Sequence, residues 1–314
     1  MALTDDEIRS LAVDILKAPT ARDAQRTIGA SNLANGCDYC LACNLTGDMR
    51  ETPMLDRAYL GRVWGTAGHG LIEERTKKWL ALERKADREN WCDLKRTEIN
   101  SFARRFPDAQ VEKRLPLGVI PGYGRVGSTA DLFLPSEGNL LDWKGSKRKD
   151  ILLMIDFLEM QVGREPIFGR RHDEIKLSEA KYAEAMVKME YKMTGYYGQL
   201  QLYGMGKKKQ GYSVSRLSNV FIARDGTGWF DNPGQDGWED RTRKHDIFVL
   251  SFDYDEAYAK MVWQRGATIW ERLQAGAELD SFERNGNCFP CSIDARDREK
   301  ESATDAEVSL KVAA

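Results

Sequence analysis

What the sequence lacks narrows the field first. No apolar run reaches the roughly 20 residues that a membrane-spanning helix needs. The acidic opening MALTDDEIRS has no signal-peptide apolar core, so the expected location is the cytoplasm. An excess of basic charge is missing too: 47 Lys and Arg stand against 49 Asp and Glu, a net charge of −2. That excludes a nucleic-acid footprint spread over the whole surface and leaves only local basic clusters to attract phosphate. Histidine is scarce, at three residues, and His172 and His245 fall in charged loops, which leaves His69. There is no glycine-rich phosphate loop, no internal repeat and no constellation that suggests a covalent enzyme intermediate.

What is present is an ordinary globular composition. The 314 residues are 42% hydrophobic and 31% charged, enough for one large domain or two ordinary ones. Two basic clusters stand out. One is Lys144, Lys147, Arg148 and Lys149, and the other is Lys207, Lys208 and Lys209. A solvated charged face is the plainer account of either cluster alone.

Five of the six cysteines form two tight groups. Cys37, Cys40 and Cys43 have the spacing C-x2-C-x2-C, and Cys288 and Cys291 form a distant C-x2-C. In a cytosolic protein such groups point to metal rather than disulfides. Three near cysteines plus one distant one suit iron–sulfur ligation, and two from each group would equally make a four-cysteine zinc site. Cys92 has no partner spacing and reads as a core residue. Either metal would be structural, because it closes a loop spanning most of the chain.

The remaining patterns place helices and strands in turn. Residues 3–18 read as a helix, with Thr4 and Glu7 at capping-box spacing. Residues 53–86 read as a long helix interrupted by Gly61, Gly65, Gly68 and Gly70, with His69 one turn before Glu73. So many glycines inside a helix suggest a close-packed neighbour, such as sheet backbone or DNA. Residues 111–120 read as a strand with a proline at an edge or bulge, with Glu112 either a surface acid or a further metal ligand. Residues 152–158 are apolar and extend the core. Residues 162–177 read as a mobile loop whose Arg164, Arg170 and Arg171 could grip DNA. A long helix follows from Ser178 to about Gly206, then strands at 219–223 and 246–252 and a helix over 254–275.

The stretch VGSTADLFLPSEGNLLDWK, residues 126–144, organises the rest. Two apolar strands flank Pro135-Ser136-Glu137-Gly138, which is turn chemistry. A four-residue loop puts Leu134 opposite Asn139, and counting back puts Asp131 opposite Asp142. Asp142 and Lys144 share a face because strand side chains alternate. Two carboxylates facing each other are unfavourable, and a divalent cation bound through oxygen relieves the repulsion. Such a cation beside a lysine can hold a water against a phosphodiester. Five other acid-x-Lys triplets occur, at Glu83/Lys85, Asp93/Lys95, Glu174/Lys176, Glu179/Lys181 and Glu190/Lys192. They lie in charged, helix-like stretches with no acid-bearing strand before them.

With these residues in place, the chain resembles the PD-(D/E)XK nuclease superfamily, in particular its RecB-like branch of CRISPR-associated and phage recombination exonucleases. The likeness rests on Asp131, Asp142 and Lys144 across the hairpin, His69 in GTAGHGLIEE before it, and Gln199 and Tyr203 in GYYGQLQLYG after it. It implies an α/β fold, a mixed central sheet flanked by helices with a cysteine-clamped lobe. The implied boundaries are an N-terminal helix over 1–30, a nuclease domain over 31–295 and a disordered tail over 296–314. The implied activity is a Mg2+- or Mn2+-dependent DNA exonuclease in recombination, repair or phage DNA metabolism. Its location would then be the bacterial host cytoplasm if the chain is phage-encoded.

The resemblance assigns the metal to Asp131, Asp142, His69 and the Trp143 carbonyl. Lys144 would orient the attacking water or steady the developing charge, and Gln199 and Tyr203 would place the strand. Relatives carry an iron–sulfur cluster (4Fe-4S) on four cysteines, usually one early and three late. Here Cys37, Cys40, Cys43, Cys288 and Cys291 are weighted three early and two late, so zinc stays open. The implied partner is linear duplex or single-stranded DNA, with a recombination or annealing protein beside it. The alternatives are a structure-selective endonuclease of the same superfamily and a non-catalytic, metal-clamped DNA-binding protein.

Overall fold

The structure is a computed structural model, and it describes residues 28–47, 68, 70–77, 106–225, 247–288 and 291–292. Its elements are α1 (Ala30–Leu33), α2 (Asp38–Thr46), β1 (Gln110–Ile120), β2 (Gly124–Leu134), β3 (Asn139–Ser146), α3 (Arg148–Gln161), α4 (Glu179–Lys209), β4 (Arg216–Ala223), β5 (Ile247–Asp253) and α5 (Glu256–Gln274). The expected helix at 3–18, most of the one at 53–86 with His69, the 225–245 segment apart from Asp225, Cys92 and the tail lie outside the described residues.

The five strands form one mixed sheet in the order β1-β2-β3-β4-β5. β1, β2 and β3 run antiparallel, β3 and β4 pair in parallel, and β5 returns antiparallel to β4. A parallel pair needs a long crossover. Here α3, residues 162–178 and α4 supply it. The fold is therefore the α/β arrangement expected, a mixed sheet flanked by helices.

Turn chemistry sets the hairpin. Glu137 and Gly138 donate backbone hydrogen bonds to Leu134 and Pro135, and Gly138 takes φ 64. Leu134 then pairs with Asn139, Phe133 with Leu140 and Leu132 with Leu141. Pro116 sits on the edge strand where the β1–β2 register shifts, a position that does not require its missing N–H.

The long helix α4 is capped by the Ser178 hydroxyl, which accepts from the Lys181 N–H. It divides the core. Met186, Met189 and Met193 pack with α3 in one apolar cluster, and Leu200, Leu202, Tyr203 and Met205 pack over the hairpin in another. Gly206 lets the helix approach: a Cβ there would stand 2.9 Å from the Leu115 Cβ. By contrast, among the described residues nothing lies within 4 Å of a Cβ added at Gly68 or Gly70.

α3 is the element that the pattern left unassigned. Ile151, Leu152, Leu153, Met154, Ile155, Asp156 and Phe157 are all buried. A helix buried all round has no stripe to read. Residues 162–177 are tied to α3 at Phe168 and Gly169. The fully buried Asp156 carboxylate accepts the Phe168 and Gly169 N–H groups at 2.9 Å each and the Tyr182 hydroxyl at 2.7 Å.

Candidate active site and cysteine centre

The β2–β3 pairing ends at Leu132 and Leu141, and Asp131 and Asp142 are the next residues on the two strands. There Asp131 Oδ2 accepts the Trp143 backbone N–H at 2.6 Å. A side-chain carboxylate thus replaces a ladder carbonyl. Asp131 is 9% exposed and Asp142 only 2%. The Trp143 side chain packs on the opposite face with Phe106, Leu132 and Leu134.

Lys144 joins this acidic pair to α4. Its Nζ lies 2.6 Å from Asp142 Oδ2 and donates to Gln199 Oε1 at 3.1 Å. Gln199 Nε2 donates in turn to the Tyr203 hydroxyl at 2.6 Å. The i, i+4 spacing of Gln199 and Tyr203 puts both on the helix face over the hairpin. Burial alone would pull the Lys144 ammonium down, but the Asp142 carboxylate outweighs it and holds the group above its ordinary value. The contact therefore favours the charged form of Lys144. Burial, then the Asp142 charge, pushes the Tyr203 phenol above its ordinary range, so it stays protonated.

Glu112 stands next to the pair. Val111 pairs with Leu132 and Lys113 with Ala130, which puts Glu112 at the register position of Asp131. Its φ of 50 is in the left-handed region, which costs a non-glycine residue of order 1–3 kcal/mol. Sequence pattern offered no way to single it out from surface acids.

Each basic cluster loses one member to the interior, while Lys147, Lys208, Lys209 and Arg171 are exposed. Arg148 is buried with its Nε 2.7 Å from Glu174. Lys207 is fully buried and donates to Gln110 Oε1 at 2.6 Å. Lys208 pairs with Glu256 at 3.4 Å, and Lys209 donates to the Leu117 carbonyl. Burial thus removes Lys207 from the exposed run. Arg164 and Arg170 are ion-paired to Glu159 and Glu179. Tyr196 and Tyr197 are half-buried and pack edge-on against Phe221 and Phe252. Glu73 pairs with Lys77 one turn on, and His69 lies outside the described residues.

The second constellation is sulfur. Cys37, Cys40, Cys288 and Cys291 are buried with all four Sγ atoms within 4.8 Å of one another. Cys37–Cys291 and Cys40–Cys291 stand at 3.5 Å and Cys40–Cys288 at 3.4 Å. All are free thiols, and the group could hold a metal ion. Cys43, one turn beyond Cys40 on α2, is buried but outside the group. The thiols cannot ionise independently. Hydrogen bonds from Cys288 and Cys40 hold Cys37 far down, Cys288 and Cys37 push Cys40 far up, and burial lifts Cys291 to about 12. Arg265 fixes the lobe from α5, with Nε 2.7 Å from Asp38 Oδ1 and NH1 2.7 Å from the Asn35 carbonyl.

No family model matches the chain, and no curated protein matches it. Three solved structures are similar to it, each at 12% identity. One is SSO0001, with TM-score 0.34 over 83% of this chain and 86% of that one. Another is LHK-Exo in complex with dAMP, with TM-score 0.34 over 88% and 95%. The third is a phage-related exonuclease from Haemophilus somnus 129PT, with TM-score 0.33 over 79% and 95%. Likeness this distant does not fix chemistry, which has to come from the side chains.

Proposed function

We propose that this chain is a metal-dependent deoxyribonuclease that hydrolyses phosphodiester bonds as an exonuclease. The observation that carries the reading is the continuous line Asp142–Lys144–Gln199–Tyr203, with Asp131 beside it. Both carboxylates are under one-tenth exposed, and Asp142 pairs with the Lys144 ammonium. Two shielded carboxylates on neighbouring strands offer the oxygen ligands that suit Mg2+ or Mn2+. Asp131, Asp142 and the Trp143 carbonyl would hold it, with His69 as a further ligand. When bound, such an ion supplies a water acidified for attack and a counter-charge for the phosphate.

The protein's own part is positioning and electrostatics. Lys144 keeps its charge and faces the phosphate oxygen on which negative charge builds. Gln199 holds the Lys144 ammonium, and the Tyr203 hydroxyl orients Gln199. The water oxygen attacks phosphorus and gives up a proton to solvent, the bond from phosphorus to the leaving sugar oxygen breaks, and that oxygen leaves with a proton taken from solvent. A structure-selective endonuclease of the same design is the second reading.

A time course on end-labelled linear and closed circular DNA, with Mn2+, Mg2+ or chelator, separates the readings. Loss of linear DNA alone, blocked by chelator, is the result expected of an exonuclease. Nicking of the circle points to the endonuclease, and no cleavage of either contradicts the proposal.

For the cysteine centre we favour a single tetrahedral ion, Zn2+, over a 4Fe-4S cluster. Zn–S bonds of about 2.3 Å put tetrahedral sulfurs about 3.8 Å apart. The three contacts of 3.4–3.5 Å lie near that edge. A four-iron cube binds each thiolate at a separate corner and needs the sulfurs farther apart. Colourless protein with one zinc per chain is expected, and brown protein with four irons would contradict it.

A further inference from the structure

Asn219 lies in the middle of β4, in the apolar run RLSNVFIA. It is 1% exposed, and neither Oδ1 nor Nδ2 has a hydrogen-bond partner among the described residues. Buried amides are almost always paired, because an unmade bond at either end costs stability. A leucine would fit this position at no such cost, so the amide calls for an explanation.

The register supplies one. Asn219 is the direct partner of Asp142 in the parallel β3–β4 pair. Adjacent strands lie about 4.8 Å apart, so the two short side chains stand side by side on one face. That face is the α4 face. Leu217, two residues before Asn219, lies beneath Gly204 of α4, and Phe221, two residues after it, packs on Tyr196 of α4. Asn219 therefore projects into the same layer as Asp142, Lys144, Gln199 and Tyr203.

We propose that Asn219 is a positioning residue for Asp142. Its Nδ2 steadies the carboxylate and its Oδ1 accepts from a water on the divalent cation, which completes the amide only when the ion is bound. This rests on the nuclease reading above. It extends the site to β4, which the hairpin-and-helix pattern of the sequence does not include. Partners of this kind, one step behind the ligands, typically shift metal affinity or activity by about 10–100-fold.

The test is Mn2+ titration of metal-free protein by electron paramagnetic resonance, alongside DNA cleavage and thermal unfolding. Wild type, Asn219→Leu and Asn219→Ser are compared. Asn219→Leu is expected to weaken Mn2+ binding and slow cleavage by about 10–100-fold while its unfolding midpoint stays level or rises. Asn219→Ser keeps a hydroxyl and is expected to retain more Mn2+ affinity than the leucine variant. An Asn219→Leu protein that binds Mn2+ and cleaves like wild type overturns this proposal alone. Both variants losing Mn2+ binding together with their fold also overturns it, because the role is then structural. A wild-type chain that neither binds Mn2+ nor cleaves overturns the nuclease reading and this proposal together.

Discussion

The Lys144 ammonium lies 2.6 Å from the Asp142 carboxylate, two residues back on the same strand. Strand alternation makes that contact available, and Gln199 fixes its geometry from α4 at 3.1 Å. Lys144→Ala should lower the cleavage rate by at least about 100-fold, the scale of a lost charge-stabilising donor. DNA affinity, measured in chelator by fluorescence anisotropy, should change little. A non-catalytic DNA-binding protein would show no such split.

The same pair sets a pH expectation. Because Asp142 holds the Lys144 proton above the ordinary lysine value, the charge persists through neutral and mildly alkaline pH. The cleavage-rate profile should show no lysine-type decline below about pH 10. A rate that rises with pH through about 8 would mean that Lys144 works as a base, and a fall there would mean that its charge is lost too early.

Tyr203 offers a subtler change. Tyr203→Phe removes the hydroxyl that accepts from Gln199 Nε2 and leaves a part-buried amide without that partner. The expected result is roughly 1–3 kcal/mol of lost stability by denaturant titration, with a fall in rate smaller than that of Lys144→Ala.

The cysteines divide four to one. Cys40→Ser should remove metal from the purified protein and lower the unfolding midpoint, since binding and folding are linked. Cys43→Ser should leave metal content at the wild-type value, because Cys43 stands outside the four. Elemental analysis of both variants checks this, and equal metal loss in both would contradict the assignment.

Lys207 gives a stability test. Burial, then the charge of Lys113, brings its ammonium down to about 8, against about 10.4 when unfolded. Between those values the unfolded chain binds more protons, so stability should rise with pH from about 8 to about 10.4. Urea titrations should show wild type gaining on Lys207→Met across that window and not below it.

How far the sequence was legible follows from these residues. The hairpin register could be counted because Pro135 and Gly138 define a loop of fixed length, and the structure pairs Leu134 with Asn139 as expected. Proline at the β1 irregularity was readable for the same local reason. Tertiary burial was not. α3 hid because it is apolar on every side, and Lys207 looked solvated because charge is normally outside. Spacing could not choose among Cys37, Cys40 and Cys43, since only the fold brings Cys288 and Cys291 against the start of α2. Asn219 left one trace, a lone amide in an apolar strand. Glu112 could be read only as a surface acid or a further ligand, because a backbone φ of 50 has no sequence signature in a glutamate.

The most direct measurement is a crystal of the protein soaked in Mn2+ and recorded at the manganese absorption edge. The result predicted is an anomalous peak bonded by carboxylate oxygens of both Asp131 and Asp142, with Lys144 beside it. Manganese bound elsewhere, or the two carboxylates turned apart with no ion between them, would contradict the metal-dependent nuclease.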